Sequence, residues 1–378
     1  MTARLPAAPP VLAGLTYVRP LGSGGFADVF LYEQDMPRRQ VAVKVLPGDV
    51  GDPELRRMFN AEADVLARLS AHPSIVTVYQ AGVSADGRPH IVMEVCPGSF
   101  ARRYREERIP VAEVLTIGVK LASALESAHR AGLVHRDVKP SNILVTTFGA
   151  PVLADFGISA SLTRTEVGEM LAMSVPWSAP EVIAEQTTGT IASEVWSLGA
   201  TVYSLLAGRS PFERREGGQN SRDQLRARIQ RATYTPIPRT DVPASLQRVL
   251  RTAMSRDPRA RPHSAAAFAQ ELRRVQQELG MPPTPLELPD EGWAPAPAPV
   301  DFADTALRGP VRSHVPHESR RKPRTRAPLG SLARDEDSGI GGEGRGGPSR
   351  ALPWVVAGVV ATVVALAGVL TVLLTGVV

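Results

Sequence analysis

His135-Arg136-Asp137-Val138-Lys139-Pro140-Ser141-Asn142 concentrates a candidate base, two cations and an amide able to meet a metal within eight residues. The apolar run Ile143-Leu144-Val145 follows it directly, and Asp155-Phe156-Gly157 begins thirteen residues beyond Asn142. Two such clusters, in this order and spacing, rarely arise by chance.

Working upstream, Val41-Ala42-Val43-Lys44 sets a lysine inside an apolar strand. A buried ammonium is costly unless it is paired. Its natural partners are nucleotide phosphates and a carboxylate on the following helix, where Glu62 is placed to serve; a purely structural ion pair is the alternative. Further upstream, Leu21-Gly22-Ser23-Gly24-Gly25-Phe26-Ala27-Asp28-Val29 joins two strand-like runs. Glycines there let a hairpin lie close over phosphates. Gly-rich turns are common, so this motif is weak alone, but its place between two strands argues against a dinucleotide fold.

The surrounding periodicity predicts strands at Tyr17–Leu21, Ala27–Tyr32, Gln40–Leu46, Ile75–Ala81 and His90–Val95. It predicts helices at Glu54–Ser70, Val111–Ala131, Glu194–Ala207, Ser245–Ala253 and Ser264–Leu279. Strands first and helices later indicate an α+β domain of two lobes.

With these motifs, and with Ala179-Pro180-Glu181 and Trp196-Ser197-Leu198-Gly199, the sequence resembles the eukaryotic-like protein kinase superfamily, specifically bacterial transmembrane serine/threonine kinases. The resemblance implies a bilobal protein-kinase fold, with a small β-rich N-lobe and a larger helical C-lobe. It implies ATP with Mg²⁺, or alternatively Mn²⁺, as cofactors and proteins with Ser/Thr acceptors as substrates, with autophosphorylation. Asp137 would accept or orient the substrate hydroxyl, and Lys139 would steady the γ-phosphate. Asn142 and Asp155 would hold the metal, and Lys44, positioned by Glu62, would hold the α- and β-phosphates. Leu21, Gly22, Ser23, Gly24, Val29, Ala42 and Leu144 complete the implied nucleotide site. Met93 takes the gatekeeper place, and Glu94 and Cys96 offer hinge backbone to adenine. Lys139-Pro140 and Ser174 fit the serine/threonine class, and Arg261 resembles the arginine that pairs with Glu181.

Three positions depart from the family pattern. Ala27 stands for the third loop glycine and Ser174 for the commoner threonine. Glu194 replaces the aspartate that anchors the catalytic loop's backbone, which puts the rate in question more than the reaction. Arg136 suggests control by an activation-loop phosphate, on Thr163 or Thr165 first, with Ser159, Ser161 and Ser174 behind them. Glu166 and Glu169 would stand in for phosphate or be solvated loop charges. Two rival readings are a nucleotide-binding scaffold without catalysis and an enzyme of the same fold acting on small molecules.

The 378 residues carry a formal net charge of +5 and 43 % hydrophobic residues, enough for a substantial core and too mildly basic to indicate nucleic acid. The single cysteine, Cys96, excludes an intramolecular disulfide and reads as a small hydrophobe. The expected division is residues 1–14 as an N-terminal extension without a signal peptide, 15–279 as the catalytic domain, 280–353 as a Pro/Gly/Arg-rich disordered linker, and 354–378 as a transmembrane helix. Trp354–Val378 has no charged residue, and its 25 residues would give a helix of roughly 37 Å against a hydrocarbon core of about 30 Å. Arg345 and Arg350 before it favour a cytoplasmic kinase domain on a single-pass cell-membrane anchor, with no room beyond for an outer sensor. The basic cluster Arg320–Arg326 would meet the anionic membrane surface or remain solvated. Gly358 and Gly368 leave a homodimer through the span open, though without a Gly-x-x-x-Gly pattern.

Overall fold

The computed structural model describes residues 7–23, 27–46, 53–156, 175–214 and 220–289, apart from the side chains at 53–55, 58 and 62. The chain divides into two units, 1–298 and 299–378, and the second lies wholly outside the described residues.

Strands β1 (Leu15–Ser23), β2 (Asp28–Gln34), β3 (Arg39–Val45), β4 (Val78–Val83) and β5 (Pro89–Met93) form one antiparallel sheet in the order β1-β2-β3-β5-β4. Helix α1 (Pro53–Leu69) lies in sequence between β3 and β4. Side chains alternate across a strand. Val41, Val43 and Val45 of β3 therefore pack on one face with Phe30, Tyr32 and Val92, while Ala42 joins Val76, Met93, Val152 and Ala154 on the other. Lys44 shares the period of Ala42 and is carried to that second face.

A small sheet follows, of β6 (Gly98–Ser99), β7 (Ile143–Val145) and β8 (Pro151–Leu153), in that order. Around it stand α2 (Phe100–Glu106), α3 (Val111–Arg130), α4 (Pro180–Ile183), α5 (Ile191–Ala207), α6 (Arg222–Gln230), α7 (Ala244–Ala253) and α8 (Ala265–Glu278). Helices α3, α5 and α8 meet closely at Gly118, where an added Cβ would lie 2.7 Å from Leu272 Cδ1 and 3.2 Å from Val202 Cγ2. Trp196 stacks on Phe212 with ring centroids 5.6 Å apart, inside the same core.

The two-lobed α+β expectation is met, with local differences that have physical causes. β4 begins at Val78 rather than Ile75, because Ile75 makes an isolated bridge to Leu153 instead. α5 begins three residues before the expected Glu194, at Ile191, because Thr190 and Ser193 form a reciprocal capping box. The short helices α2 and α6 gave no periodic signal strong enough to foresee. Residues 281–289, within the stretch read as linker, pack against the helical lobe. No helix among the described residues is long and apolar enough to cross a membrane, and Trp354–Val378 lies outside them.

Candidate active site

β3 delivers Lys44 through its register with Val29 on β2 and Ile91 on β5. Its Nζ lies 2.8 Å from Asp155 Oδ1, although 111 residues separate the two in sequence. The lysine side chain is 12 % exposed and the aspartate 41 %. Asp155 sits in a cleft whose low-dielectric walls act to raise its carboxyl. The nearby Lys44 ammonium, with His135 and Lys139, outweighs that effect and holds the carboxyl below its ordinary value. Asp155 has φ +63°, an uncommon conformation for a non-glycine residue. Neighbouring bonds fix it: Leu153 N–H donates to Ser74 O at 2.9 Å, and Ala154 N–H to Asn142 O at 2.9 Å.

The loop between α3 and β7 carries the other chemical groups. Asp137 N–H donates to His135 Nδ1 at 3.2 Å, so Nε2 bears the ring proton and donates to Ala154 O at 3.0 Å. Arg136, at φ +68°, is held by its N–H, which donates to Glu194 Oε1 at 2.5 Å. Glu194 Oε2 in turn meets His129 Nε2 at 2.7 Å. Gly189, at φ +147°, passes below, where a Cβ would lie 3.2 Å from Arg136 Cγ. Asp137 Oδ2 is 2.8 Å from Lys139 Nζ and accepts from Asn142 Nδ2 at 2.9 Å. A second Asn142 Nδ2 bond, 2.8 Å to Asp137 O, closes the loop on itself.

Val29, Ala42, Met93, Cys96 and Leu144 gather in one apolar cluster with Val76, Val152 and Ala154. These last three were missed in the sequence, where nothing local marks them. The Glu94 carboxylate accepts Thr77 N–H at 2.8 Å, leaving the hinge to act through its backbone. Behind Met93, a cavity of about 30 Å³ is lined by Lys44, Leu66, Ile91 and Phe156. Leu21 remains 39 % exposed. Gly22 and Ser23 end β1, and Ser23 Oγ donates to Asp28 Oδ1 at 2.7 Å across the turn. Glu62 is on α1, but its side chain, with Gly24, Gly157, Ser159, Ser161, Thr163, Thr165, Glu166, Glu169 and Ser174, lies outside the described residues.

Arg261 pairs with Glu181 in a bidentate bridge of 2.6 and 2.8 Å. Its remaining donors reach Ser255 O, Ala192 O and Arg256 O, and its guanidinium lies 4.9 Å over the Trp196 ring.

The donor set suits Mg²⁺. Asn142 spends its amide N–H groups on Asp137, and its Oδ1, which accepts a long 3.4 Å bond from Ser141 Oγ, keeps a lone pair to offer a cation together with the Asp155 carboxylate. Two hard oxygen donors match an ion that keeps water and phosphate oxygens for its other positions. No cluster of three or more acidic, His or Cys residues capable of a closed metal cage occurs among the described residues.

A carboxylate braced by lysine and asparagine, together with a lysine–aspartate pair that joins β3 to the segment after β8, fits the resemblance read from the motifs, and the model for the protein kinase domain matches residues 15–272. The chain belongs to the protein kinase family. Serine/threonine-protein kinase PknK of Mycobacterium tuberculosis is 43 % identical to it over 286 residues, 74 % of this chain and 25 % of that protein. PrkC of Bacillus subtilis, also a serine/threonine-protein kinase, is 34 % identical over 248 residues, 64 % of this chain and 37 % of the relative. The crystal structure of the Mycobacterium tuberculosis PknI kinase domain aligns with TM-score 0.53 and 32 % identity, covering 71 % of this chain and 99 % of that one. The chain thus spans only 25 % and 37 % of these two curated relatives. This kinase domain shares with its family the use of ATP and a divalent metal.

Proposed function

We propose that the chain transfers the γ-phosphate of ATP to serine and threonine hydroxyls of proteins, as a signalling kinase held at the inner face of the cell membrane by residues 354–378. The observation that carries this reading is the Asp137 carboxylate, held at one oxygen by Lys139 and Asn142. So oriented, Asp137 takes the proton of the incoming hydroxyl as its oxygen bonds to the γ-phosphorus. The bond from phosphorus to the β–γ bridging oxygen breaks, and ADP leaves. Lys139 steadies the charge on the transferring group, and Lys44 orients the phosphates. Mg²⁺ held by Asp155 and Asn142 would neutralise phosphate charge. The apolar cluster around Ala42, Met93 and Leu144 takes adenine and keeps water from it.

Lys139-Pro140 supports a serine/threonine acceptor. Arg136 is exposed and available to a phosphate on Thr163 or Thr165, which supports autophosphorylation. The uncharged run Trp354–Val378 supports the membrane anchor.

The test is incubation of the full chain with labelled ATP and Mg²⁺ or Mn²⁺, beside Asp137→Asn and Lys44→Met. Label on serine or threonine in the parent alone is expected. Nucleotide binding without any transfer would instead support the scaffold reading. Removal of residues 354–378 is expected to release the protein from the membrane fraction.

A further inference from the structure

The residues matched by the family model end at 272. The segment that follows α8 is nevertheless docked with specific bonds. Gly280, at φ +72°, turns the chain back, and Met281 N–H donates to Gln276 O at 2.8 Å. The fully buried Gln276 amide then grips Thr284 twice, accepting its N–H and donating to its Oγ1, both at 2.8 Å. Met281 and Leu286 pack against the main core.

The segment carries Glu287, whose polar atoms meet both lobes. Toward the C-lobe, its N–H donates to Ser123 Oγ at 3.2 Å, and its Oε1 accepts from Lys120 Nζ at 3.0 Å. Both partners are on α3. Toward the N-lobe, its Oε2 accepts from Ser74 Oγ at 2.8 Å, and its carbonyl accepts from His72 Nε2 at 2.8 Å. His72 Nδ1 is already taken by Ser74 N–H at 3.0 Å, so Nε2 is the donor. His72 and Ser74 belong to the connection between α1 and β4.

That connection leads straight to the metal-holding aspartate. Fully buried Ser74 accepts Leu153 N–H on its carbonyl at 2.9 Å, and Val76 N–H donates to Leu153 O at 3.0 Å. Leu153 stands two residues before Asp155. An aspartate in the left-handed region holds that conformation only while its surroundings over-determine it. Glu287 bonds the hydroxyl of the residue whose carbonyl anchors that segment.

We infer that Glu287 is a positioning residue for Asp155: the segment after α8 pins Ser74, and through Ser74 and Leu153 it sets the aim of the metal-holding carboxylate. The inference rests on the phosphotransfer reading above for its consequence, but not for its test. Losing Glu287 would leave the Lys120 ammonium and Ser74 hydroxyl without their carboxylate, freeing the 70–77 connection against β8. Outer partners of a metal ligand commonly tune its affinity.

The experiment uses the full chain with Glu287→Ala, Glu287→Asp and Ser74→Ala. It measures the Mg²⁺ dependence of fluorescent ADP-analogue binding, the Mg²⁺ dependence of transfer, and thermal unfolding. The Mg²⁺ concentration for half-maximal nucleotide binding is expected to rise about 10-fold in Glu287→Ala. Ser74→Ala shifts in the same direction, Glu287→Asp recovers part of the loss, and metal-free nucleotide binding is unchanged. An unaltered Mg²⁺ dependence in Glu287→Ala and Ser74→Ala, with only a lower melting temperature, overturns the inference in favour of a purely structural clasp. Should Glu287→Ala fail to fold, Ser74→Ala decides alone. A parent that binds Mg²⁺ and nucleotide without transfer sinks the phosphotransfer reading, while the binding shift still decides the role of Glu287. A parent that binds no Mg²⁺ and nucleotide overturns both.

Discussion

One carboxylate, that of Glu194 in the first turn of α5, holds both the Arg136 N–H at 2.5 Å and His129 Nε2 at 2.7 Å. The glutamate that departs from the family's aspartate thus still anchors the catalytic loop. It does so where Arg136 adopts φ +68° and needs an acceptor to stay there.

Glu194→Ala should therefore leave the part-buried Arg136 N–H without its acceptor, and about 1–3 kcal/mol lost from the transition state is roughly 5- to 150-fold in kcat. KM for ATP should change little, since the nucleotide is held elsewhere. Glu194→Asp, one methylene shorter, should lose one of the two bonds and fall between. Steady-state kinetics on folded protein check this, and an unchanged kcat in Glu194→Ala would sever the link.

Arg261 and Glu181 form a pair whose side chains are 0 % and 11 % exposed. Removing one partner strands the other charge inside the lobe, so Glu181→Ala or Arg261→Ala should cost about 3–5 kcal/mol. Arg261→Lys should rescue little, because an ammonium cannot reproduce the bidentate fork and the three carbonyl bonds. Urea unfolding of the set measures this. A loss below about 1 kcal/mol in both alanine variants would contradict the buried-pair account.

The Lys44–Asp155 pair predicts a pH signature. The Asp155 carboxyl is depressed in the folded protein. Its contribution to stability is therefore present above the ordinary carboxylate value and lost as pH falls through the depressed one. In Lys44→Met the largest opposing charge is lost while His135 and Lys139 remain, so the carboxyl moves up from its depressed value and folding favours the carboxylate less. The stability gap between parent and variant should be full at pH 7 and shrink as the pH falls below about 4. Chemical denaturation across that range reads it; a gap independent of pH would count against the pairing.

Cys96 lies in the hinge, half-buried in the apolar cluster. Burial, with Glu94 adding to it, pushes its thiol up to about 12. Iodoacetamide at pH 7.5 should therefore modify it far more slowly than an ordinary thiol, with a rate still climbing beyond pH 9. Mass spectrometry follows the adduct. Fast modification that levels off near pH 8.5 would show a normally ionising cysteine.

The legible part of this protein was the part written in contiguous residues. Val41–Lys44, His135–Asn142 and Asp155–Phe156 marked the candidate catalytic groups, and the cost of burying Lys44 called for a partner, which the structure supplies as Asp155. Helix α5 was recognisable, although its start was misplaced because a capping box extended it to Ile191. Less legible were Val76, Val152 and Ala154, ordinary apolar residues that acquire meaning only as walls of the cluster around Met93. Glu287 was invisible for a similar reason. It falls in Pro-rich sequence without periodicity, and its partners His72 and Ser74 are more than two hundred residues away.

By itself the sequence decided the family and gathered the candidate reacting groups, since covalent spacing already places Asp137, Lys139 and Asn142 within one short loop. Only the tertiary structure decided how those groups are held. The approaches of Lys44 to Asp155, Arg261 to Glu181 and Glu287 to Ser74 span 111, 80 and 213 residues. Each depends on which helix faces and strand ends the packed core brings together. Pairing and burial there set a carboxylate's proton affinity and the cost of losing a partner, and neither can be read from a residue's neighbours in the chain.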